Sequence, residues 1–462
     1  MARAILGAHA LSKTEYEKAI NMLANKGDGA AFEDINALMR GWAQMGAGDS
    51  AAALATFDSL EGGKYFELIG TLQKAKIYGT TGEAEKAAKA FAKLDDIGLS
   101  AVESALAQAR MALKNGDKQT ALKRLNAFAD KNDGAPAGPI RTLIEQIENG
   151  AERKIDLSPA ENASRAITEP AFGYYGVQKQ YEAAEMFLRL ALMLDPANDK
   201  ARLFLGSVLE DTDREDEAAM LFHAIEDTSP YGVSARLSEA NLLFKAKKND
   251  DAVKVLKRIY QKKPSKITLS SLGRAYLILE DYENALPIYQ QLIETLGEDE
   301  LKKNPQPRYL RGVCLERLGR WQDAVEDFEF VLKYKPDDAD ALNYLGYTWV
   351  DKGVNLGRAF TMIRKAVELQ PNSGAIIDSL GWAHYKLGQY GQARIKLEEA
   401  AERSPTSATI IDHLGDIYWK LGRKREAKYQ WRRALDLDPT PEEKANIQNK
   451  LKNGLSSVLK GK

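Results

Sequence analysis

Residues 340–439 contain three consecutive copies of a unit about 34 residues long, and that period constrains the fold more than any other property of the chain. Leu345-Gly346, Leu380-Gly381 and Leu414-Gly415 form one column, with glycine steps of 35 and 34. Ala359, Ala393 and Ala427 form a second column, and Pro371, Pro405 and Pro439 a third, each stepping by 34. A sustained period of this length marks a solenoid of short helical hairpins. The small residue of the first column sits where the first helix meets its partner, and the alanine does the same on the second helix. A bulky residue four positions after the alanine lies one turn further along the same face and fills the core. Proline ends the unit, because it cannot continue a helix and restrains the residue before it. Helices of about a dozen residues are marginal alone in water, so stacking stabilises them and the array is the folding unit.

The ladder extends towards the N-terminus in weaker form. Gly7, Gly41, Ala75 and Ala109 step by 34, as do Ala19, Ala53, Ala87 and Ala121, with Leu23, Phe57, Phe91 and Leu125 at the core position. Gly7 then falls about seven residues into its helix, which predicts a helix starting almost at Met1 and a chain cut inside the array. The period breaks at Leu143, where no small residue stands, although Ile140, Leu143, Ile144 and Ile147 share a helical face. A polar stretch follows over 151–162, closed by the helix-start signal Ser158-Pro159-Ala160-Glu161. The ladder resumes at Ala184, Ala218, Ala252, Ala285 and Ala324. The step from Gly273 to Gly312 is 39, and the surplus falls in the charged stretch 296–307, expected as a loop. The expected organisation is degenerate repeats over 1–130, an irregular helix and linker over 131–163, a second array over 164–440, and a capping helix and tail over 441–462. One imperfect repeat in a continuous array is the competing reading of 131–163.

Composition excludes several classes of function. Lys+Arg number 65 against 66 Asp+Glu, so no bulk charge points to nucleic acid or an anionic membrane. The single cysteine, Cys314, rules out intrachain disulfides and a cysteine-rich zinc site, and its place in a helical pattern reads as a buried small hydrophobe. No run of 18 apolar residues occurs, and the opening residues lack a signal-peptide core. His9, His223, His384 and His413 fall in separate repeats, and neighbouring Asp412 and His413 point about 100° apart on one helix. Without a phosphate loop or a hydrolase motif, the expectation is a non-enzyme with no cofactor and no metal.

Function is therefore sought on the groove side of the first helices, three residues before and one, four and five after the glycine column. In the last three copies this yields Asn343, Tyr347, Asp378, Trp382, Tyr385, Asp412, Asp416 and Trp419 as partner-binding candidates, with Val350, Asp351, Lys386 and Lys420 beside them. Aromatic side chains offer contact area, and Asn and Asp can bond the backbone of an extended peptide or its basic side chains. Packing of Trp382 and Trp419 between adjacent repeats is the competing reading. Trp349, Tyr418, Trp431 and His384 fall on core columns instead. A basic cluster, Lys420, Arg423, Lys424, Arg425, Lys428, Arg432 and Arg433 against Glu426 alone, reads as a solvated face or, in an alternative function, as a dock for anionic lipid or nucleic acid. The acidic run from Glu210 to Glu217 reads as a solvated turn.

The last copy, Leu414-Gly415-Asp416-Ile417-Tyr418 with Ala427, Trp431 and Pro439, resembles the tetratricopeptide repeat (TPR). The resemblance implies an all-α TPR solenoid, a right-handed superhelix of about 13 repeats with a C-terminal capping helix, that binds a protein or peptide. TPRs that capture an acidic carboxyl terminus use a Lys/Asn-rich groove, which the carboxylates of Asp378, Asp412 and Asp416 disfavour here. The runs 342–351, 378–382 and 412–419 are further similar to a proteobacterial family of cell-envelope TPR proteins. One branch of it is an outer-membrane lipoprotein that brings peptidoglycan hydrolases to a C-terminal processing protease. That likeness implies a periplasmic or outer-membrane-associated adaptor, with a cytoplasmic scaffold as the alternative.

Overall fold

The computed structural model describes residues 1–24, 30–60, 63–95, 101–131, 138–150 and 156–455. Among these residues the chain forms helices and no strand. Four hairpins come first: α1 (Ala2–Ser12) with α2 (Tyr16–Leu23), α3 (Ala30–Gly46) with α4 (Ser50–Asp58), α5 (Lys64–Thr81) with α6 (Ala84–Asp95), and α7 (Ala101–Lys114) with α8 (Lys118–Lys131). The single helix α9 (Gly138–Glu148) follows. Then come α10 (Pro159–Gly176) with α11 (Tyr181–Leu194), α12 (Asp199–Asp211) with α13 (Glu215–His223), and α14 (Gly232–Lys245) with α15 (Asn249–Lys262). The remaining pairs are α16 (Lys266–Ile278) with α17 (Tyr282–Lys303), α18 (Gln306–Arg317) with α19 (Trp321–Tyr334), α20 (Ala339–Lys352) with α21 (Leu356–Leu369), α22 (Gly374–Lys386) with α23 (Tyr390–Arg403), and α24 (Ala408–Lys420) with α25 (Lys424–Leu435). A last helix, α26 (Pro441–Asn453), closes the series.

The sequence columns are packing columns. In all twelve hairpins the alanine of the second helix, from Ala19 to Ala427, has no exposed surface, and the bulky residue four later is at most 3% exposed. The glycine column faces that bulky residue. A Cβ built on Gly7 would lie 2.5 Å from Leu23, on Gly206 2.4 Å from Phe222, and on Gly415 2.4 Å from Trp431. Where the column is glycine, the hairpin closes by setting one large side chain against a backbone that carries none; α5, α7 and α14 have the small side chains of Ala75, Ala109 and Ala240 there instead. Cys314 is buried in α18, and burial pushes its thiol up to about 12, so it packs as a small hydrophobe.

A further column sits in the turns. Thr14, Gly48, Gly82, Gly116 and Gly150 share a left-handed backbone at steps of 34, and Lys179, Asp213 and Lys247 repeat it later. Gly150 after α9 is in phase with the earlier four, so α9 is the first helix of a fifth repeat. Leu143 stands at its glycine position and is half-buried among Leu106, Ile140 and Ile147. No second helix is described to crowd that position, which is why a large residue is accommodated there.

The chain divides into two compact units, Met1–Ser271 and Leu272–Lys462. In the first unit the N-terminal hairpins share a core with α10–α12: Phe32 packs edge-on to Phe187 at 5.6 Å, and the Tyr65 hydroxyl donates to the Glu169 carbonyl at 2.8 Å. Ser158 caps α10 through reciprocal bonds with Glu161, as its sequence signal implies. In the second unit the charged stretch 296–307 is not the expected loop. Gly297, at φ 72°, kinks α17 and the chain stays helical to Lys303, so the extra residues form a helical turn whose Leu301 is buried. The capping helix is α26, started by a Thr440–Glu443 capping box and seated by buried Ile447; residues 456–459 of the expected helix lie outside the described residues.

Candidate functional site

In the second unit, successive first helices line a cleft of about 410 Å³. Glu316 and Arg317 of α18, Asn343 and Tyr347 of α20, Asp378 of α22, and His413 of α24 contribute its polar wall. Glu443 of α26 closes one end, where Thr409 Oγ1 donates to its Oε1 at 2.6 Å. The glycine-column register places these residues on one face, since side chains 34 or 35 apart occupy equivalent positions on neighbouring hairpins. Asn343 and Tyr347 are half-buried, and the Asn343 Oδ1 is a buried acceptor without a partner. Burial and the Asp378 carboxylate push the Tyr347 hydroxyl well above its usual range, so it is a neutral donor. The cleft thus presents an unused amide, a phenol and flanking charges of both signs.

The other candidates are engaged within the protein. Asp378 is 5% exposed and binds the His413 Nδ1 at 2.9 Å. Burial opposes the charged imidazole, but Asp378 outweighs it, with Asp412 and Asp416 adding to the effect, and the histidine is raised above its ordinary value. Trp382 is stacked between rings, 4.6 Å from Tyr385 and 4.1 Å from His413, and its indole Nε1 is buried without an acceptor. The Trp382–His413 stack joins two repeats, as the competing reading of Trp382 has it, whereas the Trp382–Tyr385 stack lies within α22. His384, expected in the core, is half-buried and edge-on to Phe360 at 4.9 Å.

The last repeat differs most from an open groove. Here α26 acts as the next first helix and covers the face that holds Asp412, Asp416 and Trp419. Lys450 Nζ sits between the two carboxylates, 2.6 Å from Asp412 Oδ2 and 2.8 Å from Asp416 Oδ2. Asp416 also accepts from the Trp431 indole at 2.9 Å. Burial and the neighbouring Asp412 push the Asp416 carboxyl up to about 6 against the pull of Lys450. Trp419 packs on Trp431 at 5.2 Å and lies under Gly454, where a Cβ would meet it at 2.4 Å. Of the eight candidates, Asn343, Tyr347 and Asp378 line the cleft, whereas Trp382, Tyr385, Asp412 and Trp419 are half-buried outside its lining and Asp416 is buried.

Sequence reasoning missed the His413–Asp378 and Lys450–Asp416 pairs. The signal was present as complementary residues one period apart, 35 and 34 positions, as it is for Lys245–Glu210 and Lys262–Asp227.

On the basic face of α25, Arg423 pairs with Glu426, Lys424 donates to the Trp419 carbonyl and Arg433 to that of Pro405. Lys420, Arg425, Lys428 and Arg432 stay exposed around Tyr429, which is 63% exposed. The acidic turn after α12 is tied into its surroundings: Glu210 pairs with Lys245, and the Tyr175 hydroxyl donates to Asp211. Among the described residues no group of three or more His, Cys, Asp and Glu is placed to hold a metal, and no helix is long and apolar enough to cross a membrane.

Residues 268–303, 309–374 and 408–441 match the tetratricopeptide repeat family. A TPR repeat-containing protein of Pseudomonas aeruginosa is 29% identical over 202 residues, 42% of this chain and 32% of that protein. Cellulose synthase operon protein C of Escherichia coli is 22% identical over 295 residues, 55% of this chain and 25% of that protein. The chain thus spans a third or less of the length of these relatives. Among solved structures, a tetratricopeptide repeat protein of Parabacteroides merdae aligns with TM-score 0.42 at 16% identity, over 63% of this chain and 97% of that one. The APC/C hetero-tetramer Cut9–Hcn1 aligns with TM-score 0.45 at 14% identity, over 97% of this chain and 95% of that one. The three matched segments are tetratricopeptide repeats, set in a 34-residue ladder whose alanines are all buried.

Proposed function

We propose that this protein is a non-enzymatic scaffold that holds an extended segment of a partner protein in the cleft of its second unit. One observation carries the reading: the Asn343 amide oxygen is buried on the cleft wall without a partner, beside a phenol and ahead of the Asp378–His413 pair. A partner's backbone N–H supplies what that oxygen lacks, and Tyr347 supplies contact area and a donor. With Glu316, Asp378 and Glu443 facing Arg317 and His413, the cleft favours a neutral to basic segment.

The resemblance of runs 342–351, 378–382 and 412–419 to envelope TPR adaptors supports an envelope location and a protease or hydrolase partner. The test compares the parent with Asn343→Ala/Tyr347→Ala in pull-downs from envelope and cytosolic extracts, after circular dichroism shows equal helicity. A partner kept by the parent and lost by the variant supports the reading, and its fraction of origin reports the location. Equal retention removes the cleft from consideration. The unpaired cations around Tyr429 support the second reading, docking on an anionic surface, which predicts binding that weakens steeply with salt.

A further inference from the structure

The first unit contains a cavity that hairpin packing does not require. Its volume is about 310 Å³, at the lower end of the ~300–1,000 Å³ typical of small-molecule sites. One wall is apolar, made by Trp42 and Met45 of α3, Phe91 of α6 and Met111 of α7. Lys76 of α5 and Arg110 of α7 line it too, and Thr80 and Lys114 at the rim are exposed. Lys76 leads to a second, smaller cavity of about 120 Å³ lined by Glu103, Arg165, Glu169 and Lys200.

Most charges around the two cavities are matched: Lys114 pairs with Asp156 at 3.2 Å, Lys200 with Glu169, and Arg202 with Asp199. That leaves three cations, Lys76, Arg110 and Arg165, around the one carboxylate of Glu103. Glu103 lies 4.0 Å from both Lys76 Nζ and Arg165 Nη1, beyond hydrogen-bond reach. Glu103 Oε2 and Arg165 Nε are buried without partners, and Arg110 makes no hydrogen bond or ion pair among the described residues. Buried charge is costly unless paired. Burial accordingly pushes Lys76 down to about 8 and Arg110 down to about 10. An apolar wall facing under-used cations fits a ligand with a hydrocarbon body and an anionic head, and a planar carboxylate matches the guanidinium fork.

We propose that this cavity binds a small apolar carboxylate, its body against Trp42, Phe91 and Met111 and its head between Lys76 and Arg110. The site is separate from the cleft of the second unit and does not depend on it.

Titration calorimetry on the full chain tests this with octanoate as probe and octan-1-ol as its uncharged counterpart. Octanoate is expected to bind one site, and octan-1-ol to bind roughly ten- to a hundredfold more weakly, the range of a charge-assisted hydrogen bond. Arg110→Gln should lose the same factor, whereas Glu103→Gln, which removes the competing carboxylate, should bind more tightly. A labelling experiment needs no variant: octanoate should protect Lys76 from acetylation by an N-hydroxysuccinimide ester and leave exposed Lys93 reacting as before. Acetyl-Ala-Ala-Leu with a free carboxyl, set against its amide, separates the two sources of such a head. Tighter binding of this peptide acid than of octanoate assigns a protein carboxyl terminus, and weaker binding a free acid. Equal binding of octanoate and octan-1-ol, no binding by either acid, or labelling of Lys76 unaffected by octanoate overturns the proposal.

Discussion

Replacing Gly415 by alanine tests whether the glycine column is a packing requirement. In an exposed helix Gly→Ala stabilises by about 1 kcal/mol, because glycine loses more backbone freedom on folding. At Gly415 the added Cβ would lie 2.4 Å from Trp431 Cδ1 and 2.5 Å from Nε1, about 1 Å inside ordinary contact. Trp431 has no exposed surface through which to yield. Overpacking of this kind costs about 1–3 kcal/mol. Moving the indole also disturbs its 2.9 Å bond to Asp416, and a hydrogen bond to a charged group contributes about 1.5–3 kcal/mol. The balance is a net destabilisation of about 2–4 kcal/mol. Gly357→Ala and Gly391→Ala are the controls, since neither Cβ would meet an atom within 4 Å; both should be neutral or stabilising by up to about 1 kcal/mol. Urea unfolding followed by circular dichroism measures all three. A Gly415→Ala midpoint equal to or above the parent's would refute the argument. Adding Trp431→Leu should recover more than about 1 kcal/mol of the loss, because the two positions touch.

Three further outcomes follow from the same geometry. Lys450→Met leaves Asp412 and Asp416 buried without their cation, and thermal melts at pH 8 should show a loss of about 3–5 kcal/mol. Asp416, already raised to about 6, can take up a proton instead, so the loss should shrink at pH 5. His413 is raised above its unfolded value, so its pairing with Asp378 contributes fully below pH 6.5 and is lost as pH rises through the folded value. Melting temperatures recorded upward from pH 6 should fall in the parent and stay flatter in His413→Asn. Lys247 holds a left-handed backbone at φ 58°, which strains a side chain by about 1–2 kcal/mol; Lys247→Gly should stabilise the fold by about 0.5–1 kcal/mol, read as a higher urea midpoint, and a lower midpoint would show that its side chain contributes more than the strain costs.

Local repetition made most of the fold legible. Ala427 and Trp431 could be placed in the core because each has counterparts at steps of 34, and a column averages out the ambiguity of any one residue. What one repeat does to the next was harder to read. Asp412 and Asp416 look like groove residues within their own copy, and only the register of α26 shows that Lys450 arrives between them. Asp378 and His413 are unremarkable separately and become a pair only when the period is used to bring them together. The packing of α1 and α3 against α10 and α11 has no local signal, because it joins segments more than a hundred residues apart through ordinary apolar side chains. Leu143 was read as a break in the period, while the backbone at Gly150 keeps the phase.

The left-handed turns make the two edges of each hairpin row mechanically unequal. In ten of the twelve hairpins three residues separate first from second helix, whereas the links onward to the next first helix vary from two residues after α17 to eight after α13. Adding one residue inside a hairpin turn would rotate the second helix by about 100° and carry its alanine out of the seam. An addition on the other edge changes only the spacing between neighbours, as the kinked extension beyond Gly297 does with its own buried leucine. One edge therefore behaves as a selvage, woven to fixed count, and the other as a fringe that can lengthen. New sequence, tags or grafted segments belong on the fringe.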